Sequence, residues 1–169
     1  MCRMLLPERL AALLLRRYWD GRLPVNVKSI VERIPNVSVE YAPLDGRSGE
    51  ARYEGGRYVL RVNSRNESRR RQRFTLAHEL GHVILGHVTP KKPVYREPPS
   101  NEPPRSASRQ ERDANLFAAA TLMPSDAVLT AIHEGLHLNE LTDLFDVSKK
   151  AMLVRLVRLG ILPPWTLDE

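Results

Sequence analysis

The chain has 169 residues, 42% of them hydrophobic, and a formal net charge of +6. A chain of this length can bury about 70% of its unfolded surface, so one core forms without metal or disulfide staples. Its single cysteine, Cys2, excludes an intramolecular disulfide; nothing suggests an oxidising compartment, and a cytoplasmic location is expected.

The first predicted element is an amphipathic helix from Pro7 to Trp19, with Leu10, Leu13 and Leu14 on one face and Pro7 in its first turn. The apolar run Leu10–Leu15 is too short to span a membrane. Glu8 and Arg9 precede it, Arg16 and Arg17 follow, and no small-residue cleavage site appears, so it reads as a helix of the fold and not a signal peptide. A short second helix follows Pro24, from Val27 to Ile34. Alternation then takes over: Val37, Val39 and Tyr41, a turn near Asp45-Gly46, a strand at Glu50–Tyr53, Gly55-Gly56, and a strand at Tyr58–Val62. This pattern predicts a small antiparallel sheet whose last strand leads into the next helix, and whose edge an extended peptide can join.

Five arginines (Arg65, Arg69, Arg70, Arg71 and Arg73) against Glu67 precede that helix. Cations at a helix start oppose the macrodipole, so local stability does not account for them. The run suits an acidic protein segment or nucleic-acid phosphates, with a plain solvated face as the default.

Next comes RFTLAHELGHVILGH, which contains His78-Glu79-Leu80-Gly81-His82. Histidines four apart on a helix project from one face, so both imidazoles reach a single metal ion and the glutamate lies beside a metal-bound water. Phe74, Leu76, Ala77, Leu80, Val83, Ile84 and Leu85 make this helix apolar almost all round. Polar groups buried on it need satisfying, and zinc does that well. His87, off the face of His82 and after Gly86, reads as a helix-end residue.

Pro90 to Ser108 holds six prolines among Lys, Arg, Ser and Asn, and no helix survives there. As the link between two site-bearing helices it is a natural lid or substrate-contacting loop. Tyr95 within it is a candidate donor to a developing oxyanion.

A catalytic zinc takes three protein ligands. The helix-forming segment from Glu111 to Ala120 offers Glu111, with Asn115 one turn later placed to orient a ligand histidine. Asp113 is the rival ligand, on the opposite side of the helix, and an acidic cap on a first turn uses the same residues. Glu111 is the favoured third ligand. His133-Glu134-Gly135-Leu136-His137 repeats the HExxH string, but Gly135 interrupts the helix and Asn139 and Glu140 follow; these are read as surface histidines. Ser125 can cap a helix running to about His133. Leu141–Phe145 and Ser148–Leu159 then resemble a helix-turn-helix, with Ser148 as N-cap and Lys149, Lys150, Arg155 and Arg158 exposed.

These motifs together resemble the ImmA/IrrE-type metallopeptidases. The family's strand ending in Asn appears at Tyr58–Asn63, its RFTxAHELGH at Arg73–His82, its ExxANxFAAxLMP at Glu111–Pro124, and its tail pattern from Leu141 to Gly160. Ala120-Thr121-Leu122-Met123 departs from it where the family usually carries an acidic residue and a second leucine. The resemblance implies zinc held by His78, His82 and Glu111, with Glu79 catalytic, and cleavage of a partner helix-turn-helix repressor as the task. The expected fold class is α+β: a small antiparallel sheet packed on a zincin-like HExxH helix, with a helical C-terminal region resembling a helix-turn-helix. The expected division is a metallopeptidase region over 1–124 and a helical region over 125–169 packed on it. A DNA-binding regulator with a structural or sensory metal is the alternative, argued from the basic tail.

Overall fold

The computed structural model describes residues 4–65, 67–95 and 108–167. Most of the proline-rich stretch read as a lid, residues 96–107, lies outside the described residues. The fold is α+β: three strands and seven α-helices among the described residues, with a short 3-10 turn at Pro164–Leu167.

Helix α1 (Leu6–Tyr18) begins where the Glu8 carboxylate accepts the Leu5 backbone N–H at 2.9 Å. Its buried face is Pro7, Glu8, Ala11, Leu14 and Leu15. Leu13, expected in the core, is 58% exposed. Leucine occupies both sides of this helix, so periodicity alone does not choose a face. A long-range partner chooses it: Glu8 turns inward to meet Arg155 (3.1 Å) and Arg158 (2.8 Å) of the C-terminal helix.

Helix α2 (Val27–Arg33) is capped by Asn26, whose side chain accepts from the Ser29 N–H, and buries Val27, Ile30 and Val31. Strands β1 (Val37–Ala42), β2 (Gly49–Glu54) and β3 (Arg57–Asn63) form one sheet in the order β1-β3-β2. Here the sequence expectation needs correction. β2 and β3 form the expected antiparallel hairpin, turning at Gly55 and Gly56 with φ of 57° and 83°. β1, however, pairs with β3 in parallel, from Val37 opposite Tyr58 to Ala42 opposite Asn63, so the sheet is mixed. The turn at Asp45-Gly46 does not close a hairpin. It carries the chain over the end of β3 to its far side, two strand spacings or roughly 10 Å away. Asn63 holds that crossing: its Nδ2 donates to the carbonyls of Leu44 and Arg47, both at 2.8 Å.

Helix α3 (Arg69–Ile84) is capped by Ser68, packs on β2 and β3, and lies against α4 (Arg109–Leu122), itself capped by Ser108. The basic run at the start of α3 has partners within the fold. Arg69, Arg70 and Arg73 converge on Asp146 at 3.1, 3.2 and 3.3 Å, and Arg70 also reaches Asp143 at 2.7 Å. These acids sit at the C-terminal end of α6 (Leu138–Phe145), where Asp146 takes a left-handed backbone with φ 50°. The run is a clamp between α3 and the turn after α6.

Helix α5 (Ser125–His133) has Pro124 as its N-cap, and Ser125, expected to cap it, is its first residue. After α6 comes α7 (Lys149–Arg158), which Ser148 caps by accepting the Ala151 N–H. Two of the four cations expected to be exposed on α7 are engaged inside. Arg155 is 4% exposed, donates to the Met123 carbonyl at 3.0 Å and pairs with Glu8; Arg158 shares the same carboxylate. Burial alone would raise the Glu8 pKa, but the Arg158 hydrogen bond, the Leu5 N–H and the two guanidinium charges hold it below its ordinary 4.5. A carboxyl depressed in the folded state stabilises fully above its unfolded pKa, and that contribution is lost as pH falls through the folded value. Glu8→Ala leaves Arg155 buried without a counterion and is expected to cost about 3–5 kcal/mol, read by denaturant unfolding at neutral pH. The penalty is expected to shrink in Glu8→Ala/Arg155→Met; an equal or larger loss there would remove the ion pair as its cause.

Candidate metal centre

The dry helix α3 presents His78 and His82 one turn apart, and α4 brings Glu111 to them in its first turn. His78 Nε2 lies 3.0 Å from His82 Nε2, Glu111 Oε2 lies 3.2 Å from His78 Nε2, and Glu111 Oε1 lies 3.3 Å from His82 Nε2. Donors at tetrahedral corners around zinc, on arms of about 2.0–2.2 Å, stand roughly 3.3 Å apart. His82 is 1% exposed and Glu111 6%. Glu111 Oε1 is buried with no hydrogen-bond partner, while two imidazole nitrogens face each other. A cation between the three groups satisfies both conditions, and an Nε2/Nε2/carboxylate set suits zinc.

Electrostatics reinforce the cluster. Burial would push the Glu111 carboxyl up, but the adjacent His78 and His82 imidazoles and the Tyr95 hydroxyl hold it well below the carboxylate range. For His78, burial is outweighed by the Glu111 hydrogen bond and the Glu79 and Glu111 charges, so its pKa rises. For His82 burial prevails and the pKa falls.

The neighbours of the cluster are where its orientation is set. His78 Nδ1 is 3.0 Å from Asn115 Oδ1, the contact expected for an orienting asparagine. Asp113 is not in the cluster; its nearest ion-pair partner is Arg109 at 3.7 Å. Tyr95 stacks on His82 with ring centroids 3.9 Å apart, and its hydroxyl lies 3.2 Å from Ser108 Oγ and hydrogen-bonds Glu111. That hydroxyl is directed to Glu111 and Ser108. Pro93 and Tyr95 reach this position by pairing along the outer edge of β2: Tyr53 N–H donates to the Pro93 carbonyl at 2.7 Å and Tyr95 N–H to the Ala51 carbonyl at 3.4 Å.

Three residues of the centre escaped the sequence reading. At Gly49 an added Cβ would lie 2.5 Å from Thr75 Cγ2 and 2.8 Å from Glu79 Oε1, so only glycine lets β2 lie on the helix at Glu79. At Gly81 it would lie 3.0 Å from Phe117 Cδ1 and 3.3 Å from the Ala114 carbonyl, which is how α3 and α4 approach closely enough to bring His78, His82 and Glu111 together. The glycine penalty held against the second HExxH string therefore applies to the first as well, where packing requires the residue. A glycine at a strand start and one inside a helix were the available signals. Gly49→Ala is expected to cost about 1–3 kcal/mol by overpacking, read as a lowered melting temperature. An unchanged melting temperature would show that Thr75 and Glu79 yield freely.

The third is His87. Gly86, with φ 73°, reverses the chain after α3, and His87 N–H returns to the His82 carbonyl at 2.8 Å. The buried ring then places Nδ1 2.9 Å from His82 Nδ1. Spacing along an unbroken helix had put it off that face.

The second HExxH string does not form one site. Its helix ends at His133, Gly135 has φ 89°, and His137 caps the next helix, with His133, Glu134 and His137 all exposed. Among the described residues the one group of three or more metal-competent donors is His78, His82 and Glu111.

The Peptidase_M78 family, described as the IrrE N-terminal-like domain, matches residues 33–157. The chain belongs to the Peptidase_M78 family. Within it, the chain is 30% identical over 140 residues to the radiation response metalloprotease IrrE of Deinococcus radiodurans, covering 80% of this chain and 41% of that protein. It is 32% identical over 144 residues to the IrrE of Deinococcus deserti, covering 82% and 49%. The chain thus spans less than half the length of either Peptidase_M78 relative. A Mycobacterium tuberculosis transcriptional regulator shares the fold at a TM-score of 0.60 and 17% identity, over 89% of this chain and 46% of that one. No single helix among the described residues is long and apolar enough to cross a membrane.

Proposed function

We propose that this chain is a zinc-dependent endopeptidase, acting in the cytoplasm, that makes a limited site-specific cut in a partner helix-turn-helix repressor. The observation that carries the reading is the convergence of His78, His82 and Glu111 within 4.8 Å, one residue from a buried glutamate, in a chain of a metallopeptidase family. Two relatives named radiation response metalloprotease support the protease class.

A zinc ion held by these three residues would polarise the scissile carbonyl and lower the pKa of a bound water to about 7. Glu79 lies outside the ligand set, with its charge acting on His78 and its carboxylate beside Gly49. Its carboxylate takes a proton from the attacking water and returns it to the leaving amine. Asn115 fixes the His78 ring, and Tyr95 and Ser108 steady Glu111. Ala51 and Tyr53 turn their backbone groups to the outer edge of β2, and by the same alternation so does Gly49, above Glu79. The first two are partly taken by Pro93 and Tyr95, so an extended substrate adds at Gly49.

DNA binding through α7 is the weaker reading, because only Lys149 and Lys150 of its four expected cations stay free of Glu8. The test is co-incubation with a helix-turn-helix repressor encoded beside this chain and mass spectrometry for a single cut. An intact repressor under zinc-replete conditions would refute that substrate.

A further inference from the structure

An imidazole offers one ring nitrogen to a metal only when the proton sits on the other, and an acceptor for that proton fixes both tautomer and ring orientation. His78 has Asn115 Oδ1 in this place. At His82 the corresponding atom is 2.9 Å from a second imidazole, His87 Nδ1. One of these two nitrogens must donate and the other accept. With a metal held by His78, His82 and Glu111, Nε2 of His82 gives its lone pair to that ion, so the His82 proton belongs on Nδ1. His87 Nδ1 is then the acceptor, and the His87 proton lies on Nε2.

We propose that His87 is a positioning residue for the metal centre, accepting the Nδ1–H of His82 and so holding His82 in the tautomer and rotamer that direct Nε2 to the metal. The role rests on the ligand set given under the proposed function. Other features of the fold converge on it. Gly86 turns the backbone so that the His87 N–H also bonds the His82 carbonyl, which fixes the two residues to each other at main chain and side chain. Tyr95 stacks on His82 at 3.9 Å and stands 6.0 Å from His87, closing the other side of the ring pair. The His87 ring is 8% exposed, so water has little access to replace it as acceptor.

The test compares His87→Leu, which removes the acceptor, with His87→Asn, whose Oδ1 stands near the former Nδ1. Zinc affinity by chelator competition is expected to fall about 10–100-fold in His87→Leu and to return to within about threefold of the parent in His87→Asn. The melting temperature of the metal-free protein is the control for folding. A nitrogen-15 ring spectrum of the unmodified zinc protein reads the tautomers without any substitution: His82 should carry its proton on Nδ1 and His87 on Nε2. Undiminished affinity in His87→Leu, equal loss in both variants, or a proton on His87 Nδ1 would overturn the proposal. Should the parent protein bind no zinc, the ligand assignment itself fails; zinc binding that His87→Leu leaves unchanged removes only the role of His87.

Discussion

The Glu79→Gln protein is expected to retain zinc, fold and substrate binding while cutting at least about 10²–10⁴ times more slowly. The prediction follows from the division of labour at the site. Glu79 is outside the donor cluster, so metal affinity does not depend on it. Glutamine is nearly isosteric, so the tight packing against Gly49 and Thr75 persists. What is lost is the ability to accept a proton from the attacking water, since a carboxamide oxygen is a far weaker base. Chelator competition reads the zinc, thermal unfolding reads the fold, and mass spectrometry of a co-incubated repressor reads the cut. Undiminished cutting would exclude Glu79 as general base and with it the mechanism given above. The DNA-binding alternative expects Glu79→Gln to be nearly silent, with the effect appearing in Lys149→Ala/Lys150→Ala as weakened, salt-dependent DNA binding. Arg155 and Arg158 are unsuited to that experiment, because neutralising them breaks the buried pair with Glu8.

How much of this was legible beforehand depends on the range of the interaction that decides each feature. The metal helix was legible because its signal is local: two histidines at helical spacing among apolar residues specify a buried helix with polar groups needing a partner. The hairpin of β2 and β3 was legible for the same reason, since Gly55-Gly56 between alternating runs is a short-range signal. The place of β1 was not. Alternation says that a segment is a strand and which residues share a face, but not which strand lies beside it, and a six-residue link spans one intervening strand as readily as it closes a turn. The face of α1 and the burial of Arg155 depend on each other across a separation of 147 residues, and neither sequence neighbourhood announces the other.

His87 shows a different limit. Helical periodicity is a sound guide only while the helix lasts, and one left-handed glycine brings the residue after it back onto the turn it has just left. The sequence reads His87, after Gly86, as a helix-end residue, and α3 does end before it, with Leu85 as its C-cap. The geometric consequence of that ending is a second imidazole against His82, which no spacing rule for an unbroken helix contains. The same property of glycine worked in favour of the reading at Gly135, where the second HExxH string is divided between two helices.

Removing ligands one at a time is expected to separate His78, His82 and Glu111 from every neighbouring candidate. His78→Ala and His82→Ala should each abolish the roughly one zinc per chain held by the parent protein, because a two-donor remnant cannot compete with water and buffer for the ion. Glu111→Ala should lower affinity by at least about an order of magnitude: it removes the anionic donor, whose pKa is already held low by the two histidines. Asp113→Ala should leave affinity nearly unchanged, since Asp113 is outside the cluster and faces Arg109. The charge it exerts near His87 makes it a demanding control, because any loss seen there measures long-range electrostatics without ligand removal. His133→Ala and His137→Ala should also be silent, since both side chains are exposed and belong to different structural elements. Metal analysis by mass spectrometry of the native protein, with circular dichroism to verify folding, decides all six cases. Loss of zinc from Asp113→Ala equal to that from Glu111→Ala, or from the His133 and His137 variants, would place the metal elsewhere and overturn the site described above.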